Sequence, residues 1–312
     1  MLMRKIIKFG KNSHVITLPT DWIDKHKISK GDIVNVDEES NDLILSPKMK
    51  EKLNGEATTT IETKDKEMVR IRTEIYGAYL NNADTIRIVA PDLHTQSQEI
   101  LGFLNNLAGL EIMEQTADRI IAKNLINEHE ISINTIVRRM DTITRSMIQD
   151  TMACITKYAS EKIKGKSELV SNINHRDEDI NRLYFLAYRV IRGALEDPFK
   201  ARALEKRPNQ LHNDHGILLR IERIADQAKG IAFETKRLVV TEARQKALLD
   251  IFSELFHRYK ETMKAYYKND PEIAFTLEIS NEDLYKKMDD FYEDYAVHVM
   301  GSEHKKDLKT MT

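Results

Sequence analysis

Two constellations in this chain could do chemistry, and they call for opposite partners. Near the N-terminus, Arg4, Lys5, Lys8 and Lys11 interrupt the β-formers Ile6, Ile7 and Phe9. A strand there can turn apolar groups to its neighbours and cations to phosphates. Asn12, Ser13 and His14 follow as lesser contacts. Far along the chain, residues 218–228 read LLRIERIADQA. Helical spacing sets Glu222 and Asp226 one turn apart on the same side, where both carboxylates could reach one ion. Alone, that spacing is common and ordinarily marks a solvated or Arg-paired face. Oxygen-only donors favour Mg, Mn or Ca, with Fe also open, whereas zinc more usually recruits His or Cys. His212 and His215 lie more than one turn from Glu222 and read as structural or solvent-facing. Tyr184, Phe185, Tyr188, Phe252, Phe256, Tyr259, Tyr266 and Tyr267 read as packing.

The elements around the basic run follow from residue type. Gly10-Lys11-Asn12-Ser13 is rich in turn formers and His14–Leu18 returns to β-branched residues, which predicts a hairpin. Pro19 stops it. Thr20 is placed as an N-cap, with Asp21 in the first turn of a short helix through Trp22, Ile23 and Ile28. Ser29-Lys30-Gly31-Asp32 ends that helix. Ile33–Val36 and Leu43–Leu45 predict a second hairpin around the acidic turn Asp37–Asp42. About fifty residues is small for a self-sufficient core, and such units often depend on oligomerisation.

Lys8-x-Gly10 before Ser13, Val15-Ile16-Thr17-Leu18-Pro19 leading to Trp22, and Ile28-x-Lys30-Gly31-Asp32 with Val34 and Val36 occur in a telling order and spacing. Over roughly residues 3–47 they resemble the AbrB/SpoVT-like swapped-hairpin family. The resemblance implies two chains exchanging hairpins into one β-barrel, a homodimer whose paired N-terminal strands and first loops face double-stranded DNA. Arg4, Lys5, Lys8 and Lys11 carry over as DNA contacts, with Asn12, Ser13 and His14 beside them. The competing reading is a solvated basic edge strand, which charge protects from aggregation.

Composition sets the bounds. Across 312 residues, 48 Lys and Arg stand against 50 Asp and Glu, a formal net charge of −2. The chain is not a basic nucleic-acid coat, so attraction for DNA must be local. Residues 1–30 supply it, with seven Lys and Arg against Asp21 and Asp24, a formal +5. The single cysteine, Cys154, excludes an intrachain disulfide and reads as helix packing among Met147, Ile148, Thr151, Ile155 and Tyr158. No 18-residue apolar run and no cleavable leader pattern occur, so a cytoplasmic protein without membrane insertion is expected.

Beyond the basic module, residues 49–66 read as a polar linker, 67–129 as a small α+β region, 130–300 as helices and 301–312 as a flexible tail. In the α+β region Met68–Ile71, Thr85–Val89, Leu110–Met113 and Arg119–Ile126 are strand-like. Glu74–Leu80 and Gln96–Leu107 are helix-like, the latter ended by Gly109. No nucleotide loop, metal signature or nucleophile arrangement occurs there. From Ile131, apolar residues recur at three- and four-residue steps (Ile133, Ile136, Val137, Met140, Ile143, Met147), as a bundle helix requires. Comparable helices are expected at 167–196, 209–238, 243–269 and 272–299, parted by Gly165, Pro198, Pro208 and Asn269-Asp270-Pro271. The class is therefore α+β multi-domain: an N-terminal swapped-hairpin module, a small α+β region and an all-α antiparallel bundle.

The helices carry a repeat. Asp177-Glu178-Asp179-Ile180 recurs as Asn281-Glu282-Asp283-Leu284, an offset of 104 residues, which also maps Met147 to Ile251, Ile148 to Phe252 and Ile155 to Tyr259. A third helix of the second copy would fall beyond residue 312, so an incomplete repeat is expected. Glu222-Arg223-Ile224-Ala225-Asp226, preceded two segments earlier by Asp177-x-x-Ile180-x-x-Leu183, is similar to the PhoU family of phosphate-uptake regulators over roughly residues 131–300. That resemblance implies repeated three-helix bundles whose acidic motifs can bind metal clusters, and it carries over Glu222, Asp226 and Asp177. A second Glu-x-x-x-Asp helix is absent, which leaves one expected cluster without its motif. Together the two resemblances imply an archaeal-type transcriptional regulator of phosphate uptake, its helices sensing a partner or metal. The alternative is a non-DNA-binding adaptor of a phosphate transporter or its signalling kinase. No base, nucleophile and oxyanion set accompanies the carboxylates, so an enzyme is not expected.

Overall fold

The computed structural model describes residues 3–39, 42–47, 57–158, 168–235 and 240–310, which fall into two units, Met1–Glu56 and Ala57–Thr312. In the first, β1 (Ile7–Phe9) and β2 (Ser13–Val15) pair antiparallel around a turn in which Gly10 takes φ +72°. Helix α1 spans Thr20–Lys25. Thr20 is its first residue and not its cap: Pro19 holds that position, its carbonyl accepting from the N–H groups of Trp22 and Ile23 at 3.1 Å. The helix also stops short of Ile28, because Lys27 turns left-handed (φ 50°) and the Asp32 carboxylate accepts from the Ser29 N–H at 2.8 Å.

The second hairpin is longer than its apolar residues suggest. Strands β3 (Val34–Glu39) and β4 (Asp42–Pro47) pair in register from Val34 opposite Pro47 to Glu39 opposite Asp42. Asp37–Glu39, expected in the turn, are therefore ladder residues. The two hairpins are separate two-stranded sheets, and one chain's described residues close no barrel. None of this unit's residues with described exposure is buried.

The second unit begins inside the expected linker. Residues 49–56 lie outside the described part, but Thr58–Glu62 is β5, an edge strand whose polar threonines suit a position with one solvated face. Helix α2 (Met68–Leu80) then absorbs Met68–Ile71, expected as strand, because Ile71, Ile75 and Tyr79 recur at helical spacing and are fully buried. Next come β6 (Thr85–Val89), α3 (Ser97–Asn105), β7 (Leu110–Gln115) and β8 (Arg119–Asn124). The sheet order is β5-β6-β8-β7, with β5 parallel to β6 and the other pairs antiparallel. Ile61, Ile86, Ile88, Ile120 and Ala122 pack on α2 and α3. Gly109 takes φ +73°, and a Cβ there would meet the Ile126 side chain at 2.0 Å, so glycine is required twice over.

Helices α4 (Ile133–Tyr158), α5 (Glu168–Glu196), α6 (Pro198–Ala203), α7 (Pro208–Glu234) and α8 (Glu242–Lys268) follow. A shared core of Val137, Met140, Ile173, Ile180, Leu218 and Ile221 joins α4, α5 and α7, and Tyr259 and Met263 of α8 enter it. The Gly165 boundary lies outside the described residues. The helix expected at 272–299 is two helices, α9 (Pro271–Ile279) and α10 (Asn281–Thr310). At the break, the Arg258 guanidinium donates to the carbonyls of Leu277 and Ser280 and to the Asn281 side chain. Most of the expected tail is helix, since α10 runs to Thr310.

The expected division at 129/130 does not separate two compact bodies. Arg189 of α5, 1% exposed, donates to the carbonyls of Tyr79 at 2.6 Å and Ala83 at 3.1 Å and pairs with Glu128 at 2.9 Å. Its guanidinium also lies 4.9 Å from the Tyr79 ring centroid. Sheet and helices are fastened at the end of α2. Among the described residues, no helix is long and apolar enough to cross a membrane.

Candidate functional site

The basic segment is an open hairpin. Lys8 stands opposite His14, and alternation puts this pair on one face while Ile7, Phe9, Ser13 and Val15 share the other. Arg4 and Lys5 precede β1 at the open end and Lys11 and Asn12 occupy the turn, so the candidate contacts are spread along the hairpin without sharing a single face. All seven candidates are exposed. Cations set out along a strand and its turn can meet successive phosphates, while Asn12, Ser13 and His14 add hydrogen-bonding groups.

The acidic residues do converge, but on a lysine. The stripe Leu218, Ile221, Ala225, Ala228 and Ala232 is buried as its spacing predicts, and Glu222 and Asp226 flank it. Asp177 of α5 is buried opposite, and the Lys229 ammonium bridges the two helices, 2.7 Å from both Asp177 and Asp226. Burial opposes charge on Lys229, yet its hydrogen bonds to those two carboxylates raise its pKa above the ordinary value. Glu222 is half-buried. Burial, then the charges of Asp226 and Asp177, push its carboxyl pKa up. Tyr184 lies beside it, its hydroxyl raised by burial and then by Glu222. The Tyr184 hydroxyl sits 3.4 Å from His215 Nε2, and the His215 ring meets the Tyr188 ring at 4.8 Å.

This arrangement does not fit a metal ion as it stands. The position two ligands would share is held by an ammonium group, and among the described residues no three His, Cys, Asp or Glu side chains are grouped to hold an ion. The sequence signal for Lys229 is its place three residues after Asp226 on the same helix. Two tyrosines assigned to packing also carry polar roles: Tyr267 donates to the buried Asp141 at 2.9 Å and Tyr266 to the buried Asp214 at 3.2 Å. Both bonds tie α8 to the first bundle.

Residues 7–53 match the family model described as antidote-toxin recognition MazE, bacterial antitoxin. The match covers the hairpin–helix–hairpin unit and little else. It supports reading that unit as a small regulatory module of the DNA-binding or antitoxin kind. No curated protein and no solved structure matches the chain.

Proposed function

We propose that this chain is a DNA-binding transcriptional regulator that works as a dimer through its N-terminal unit. One observation carries the reading: the segment matched at residues 7–53 displays Lys8 and Lys11 on an open hairpin, with Arg4 and Lys5 just ahead of it, and none of its apolar side chains with described exposure is buried. Phe9 and Leu43, 71% and 69% exposed in one chain, are the surface a second chain would cover in a shared barrel. The cytoplasm is the compartment such a role requires.

The phosphate-uptake assignment rests on the resemblance of residues 131–300 to the PhoU family, supported by the meeting of Asp177, Glu222 and Asp226 on neighbouring helices. In this reading the helices sense a partner, and Mg, Mn, Ca or Fe binds only after Lys229 swings out from between the carboxylates. The carboxylates act in recognition and not in turnover.

A salt-titrated binding assay on the DNA upstream of the chain's own coding sequence tests the proposal. Because phosphate contacts release counterions, wild-type affinity should fall steeply with salt. Lys5→Ala/Lys8→Ala/Lys11→Ala should lower the salt slope by about one per phosphate contact removed and weaken binding to all sequences alike. Equal binding by wild type and variant would demote the segment to a dimerisation element. A second reading comes from the matched model's own description, recognition of a toxin. Tight capture of a toxin protein by residues of this unit, with no DNA preference, would favour it. The adaptor reading predicts instead binding to a phosphate transporter or its signalling kinase, again without DNA.

A further inference from the structure

Helices α8, α9 and α10 meet the rest of the second unit mainly along one side of α8. Helices α5 and α7 bury eleven and seven residues, whereas α8 buries only Ile251, Tyr259, Met263 and Ala265, and α9 none. Among the residues of α10 with described exposure, Leu284 alone is buried. Of the four on α8, Tyr259 and Met263 enter the core shared with α4, α5 and α7. At the other end of the seam, Ile155 of α4 packs with Leu248 and Phe252 of α8 and Tyr295 of α10, and the Gln245 amide donates to the Ile155 and Thr156 carbonyls at 2.8 Å. Helices α9 and α10 pack chiefly on α8 and on each other, fastened by Arg258 at the break and by the Arg244–Asp294 pair. So thin a burial makes these three helices the part of the unit that separates most easily.

The polar bonds of the seam are suited to parting. Tyr267 donates to Asp141 and Tyr266 to Asp214, yet each aspartate has a cation on its own side. Arg145 donates to both oxygens of Asp141, at 2.8 and 3.0 Å, and Lys206 donates to Asp214 at 2.7 Å. When α8 leaves, neither carboxylate loses its counter-charge, and the two tyrosine hydroxyls turn to water. The closed state carries a cost of its own. The Tyr259 hydroxyl is buried near Asp141, whose two oxygens already accept from Arg145 and Tyr267, and it makes no hydrogen bond. Charges paired in either state, with an unsatisfied hydroxyl in the closed one, favour a contact that opens and closes.

We infer that α8, α9 and α10 form an arm that undocks from the bundle of α4, α5 and α7 as one body, with Tyr266 and Tyr267 as its latch. Opening uncovers Tyr259, Met263 and the two paired aspartates, while the bonds of Arg258 and Arg244 hold the helices of the arm together. Nothing in it depends on what the N-terminal unit binds.

Thiol labelling of the full chain tests this, with Cys154→Ala as the background and one new cysteine at a time. Met263→Cys, on the seam, should react about a hundred-fold faster than Ala187→Cys in the core of α5, which only wider unfolding exposes. Tyr266→Phe/Tyr267→Phe should speed Met263→Cys by about ten-fold or more, and Ala187→Cys by less than about three-fold. Leu284→Cys should also change by less than about three-fold, because α10 travels with α8. Tyr259→Phe deletes the unsatisfied hydroxyl and should slow Met263→Cys by about three-fold or more, an effect opposite in sign to general destabilisation. Equal labelling at Met263→Cys and Ala187→Cys overturns the inference. So does a latch variant that speeds all three thiols alike, or a Tyr259→Phe change that leaves the Met263→Cys rate unchanged or raised. The Ala187→Cys rate, measured in every background, separates undocking from poor folding.

Discussion

The two units of this chain solve the problem of apolar surface in opposite ways. Through the sheet and helices α4, α5 and α7 of Ala57–Thr312, most of the apolar side chains that alternate along strands and recur along helices are buried by partners in the same chain, and even a guanidinium, Arg189, is enclosed and satisfied. In Met1–Glu56 the alternation is equally regular, yet Ile7, Phe9, Val36 and Leu43 end on the outside. The contrast shows that amphipathic patterning states which face must be covered and not who covers it. For the first unit the cover is sought in a second chain, and the same basic residues that keep a lone edge strand from aggregating are free to meet phosphate.

If that contrast is right, the largest effect belongs to the enclosed cation. Arg189→Ala removes a donor from the Tyr79 and Ala83 carbonyls, the former keeping the Asn82 N–H, and leaves Glu128 with Lys200 alone as counter-charge. Unfolding of the second unit should become easier by about 3–5 kcal/mol, read from urea midpoints. Burial alone would raise the Glu128 pKa, but Lys200 and Arg189 together hold it below the ordinary carboxylate range, so this group gives the wild type stability that is lost as pH falls through the folded pKa; Arg189→Ala removes part of that shift, and the gap between variant and wild type should narrow on acidification. A loss under about 1 kcal/mol would mean that the sheet and helices are not fastened there.

The next effect falls on a side chain that one chain leaves exposed. Phe9→Ala should cost nothing in an isolated hairpin, but about 2–4 kcal/mol of dimer stability if a second chain buries the ring. Melting followed over a hundred-fold range of protein concentration separates the outcomes. A concentration-independent transition, unchanged by the substitution, would return Phe9 to solvent and remove the shared barrel.

How far the sequence foretold these features depended on where the deciding interaction lay. Local patterns carried well: β6 occupies the expected Thr85–Val89 and the stripe from Leu218 to Ala232 is buried, whereas the helix expected to run to Leu107 and end at Gly109 stops at Asn105, and Gly109 makes the turn into β7. Thr58–Glu62 reads as linker because only Ile61 in it is apolar, and its strand character comes from pairing with β6, a partner more than twenty residues away. Met68–Ile71 looked like strand in a four-residue window and became helix through Ile75 and Tyr79. The break at Ser280 depends on Arg258 reaching across from α8. At the acidic site, helix period placed Glu222 and Asp226 correctly, but nothing in a one-helix wheel could reveal that Lys229 would reach Asp177 on α5.

That lysine leaves the smallest effect and the most discriminating sign. Since burial and two neighbouring carboxylates raise the Glu222 pKa above its ordinary 4.5, the folded state holds this proton more tightly than the unfolded chain does. Its contribution to stability is therefore full below the unfolded pKa and is lost as pH rises through the folded one. Glu222→Gln removes the loss. The variant should be more stable than wild type at pH 7 by less than about 1 kcal/mol, because the group is half in solvent, and the two should converge on acidification below about pH 4. Urea midpoints at both pH values measure this. The reverse sign at pH 7, appearing with Mg, Mn, Ca or Fe and vanishing with a chelator, would mean that Glu222 is held by a cation. Lys229 would then be the group that yields its place between the carboxylates when the ion arrives.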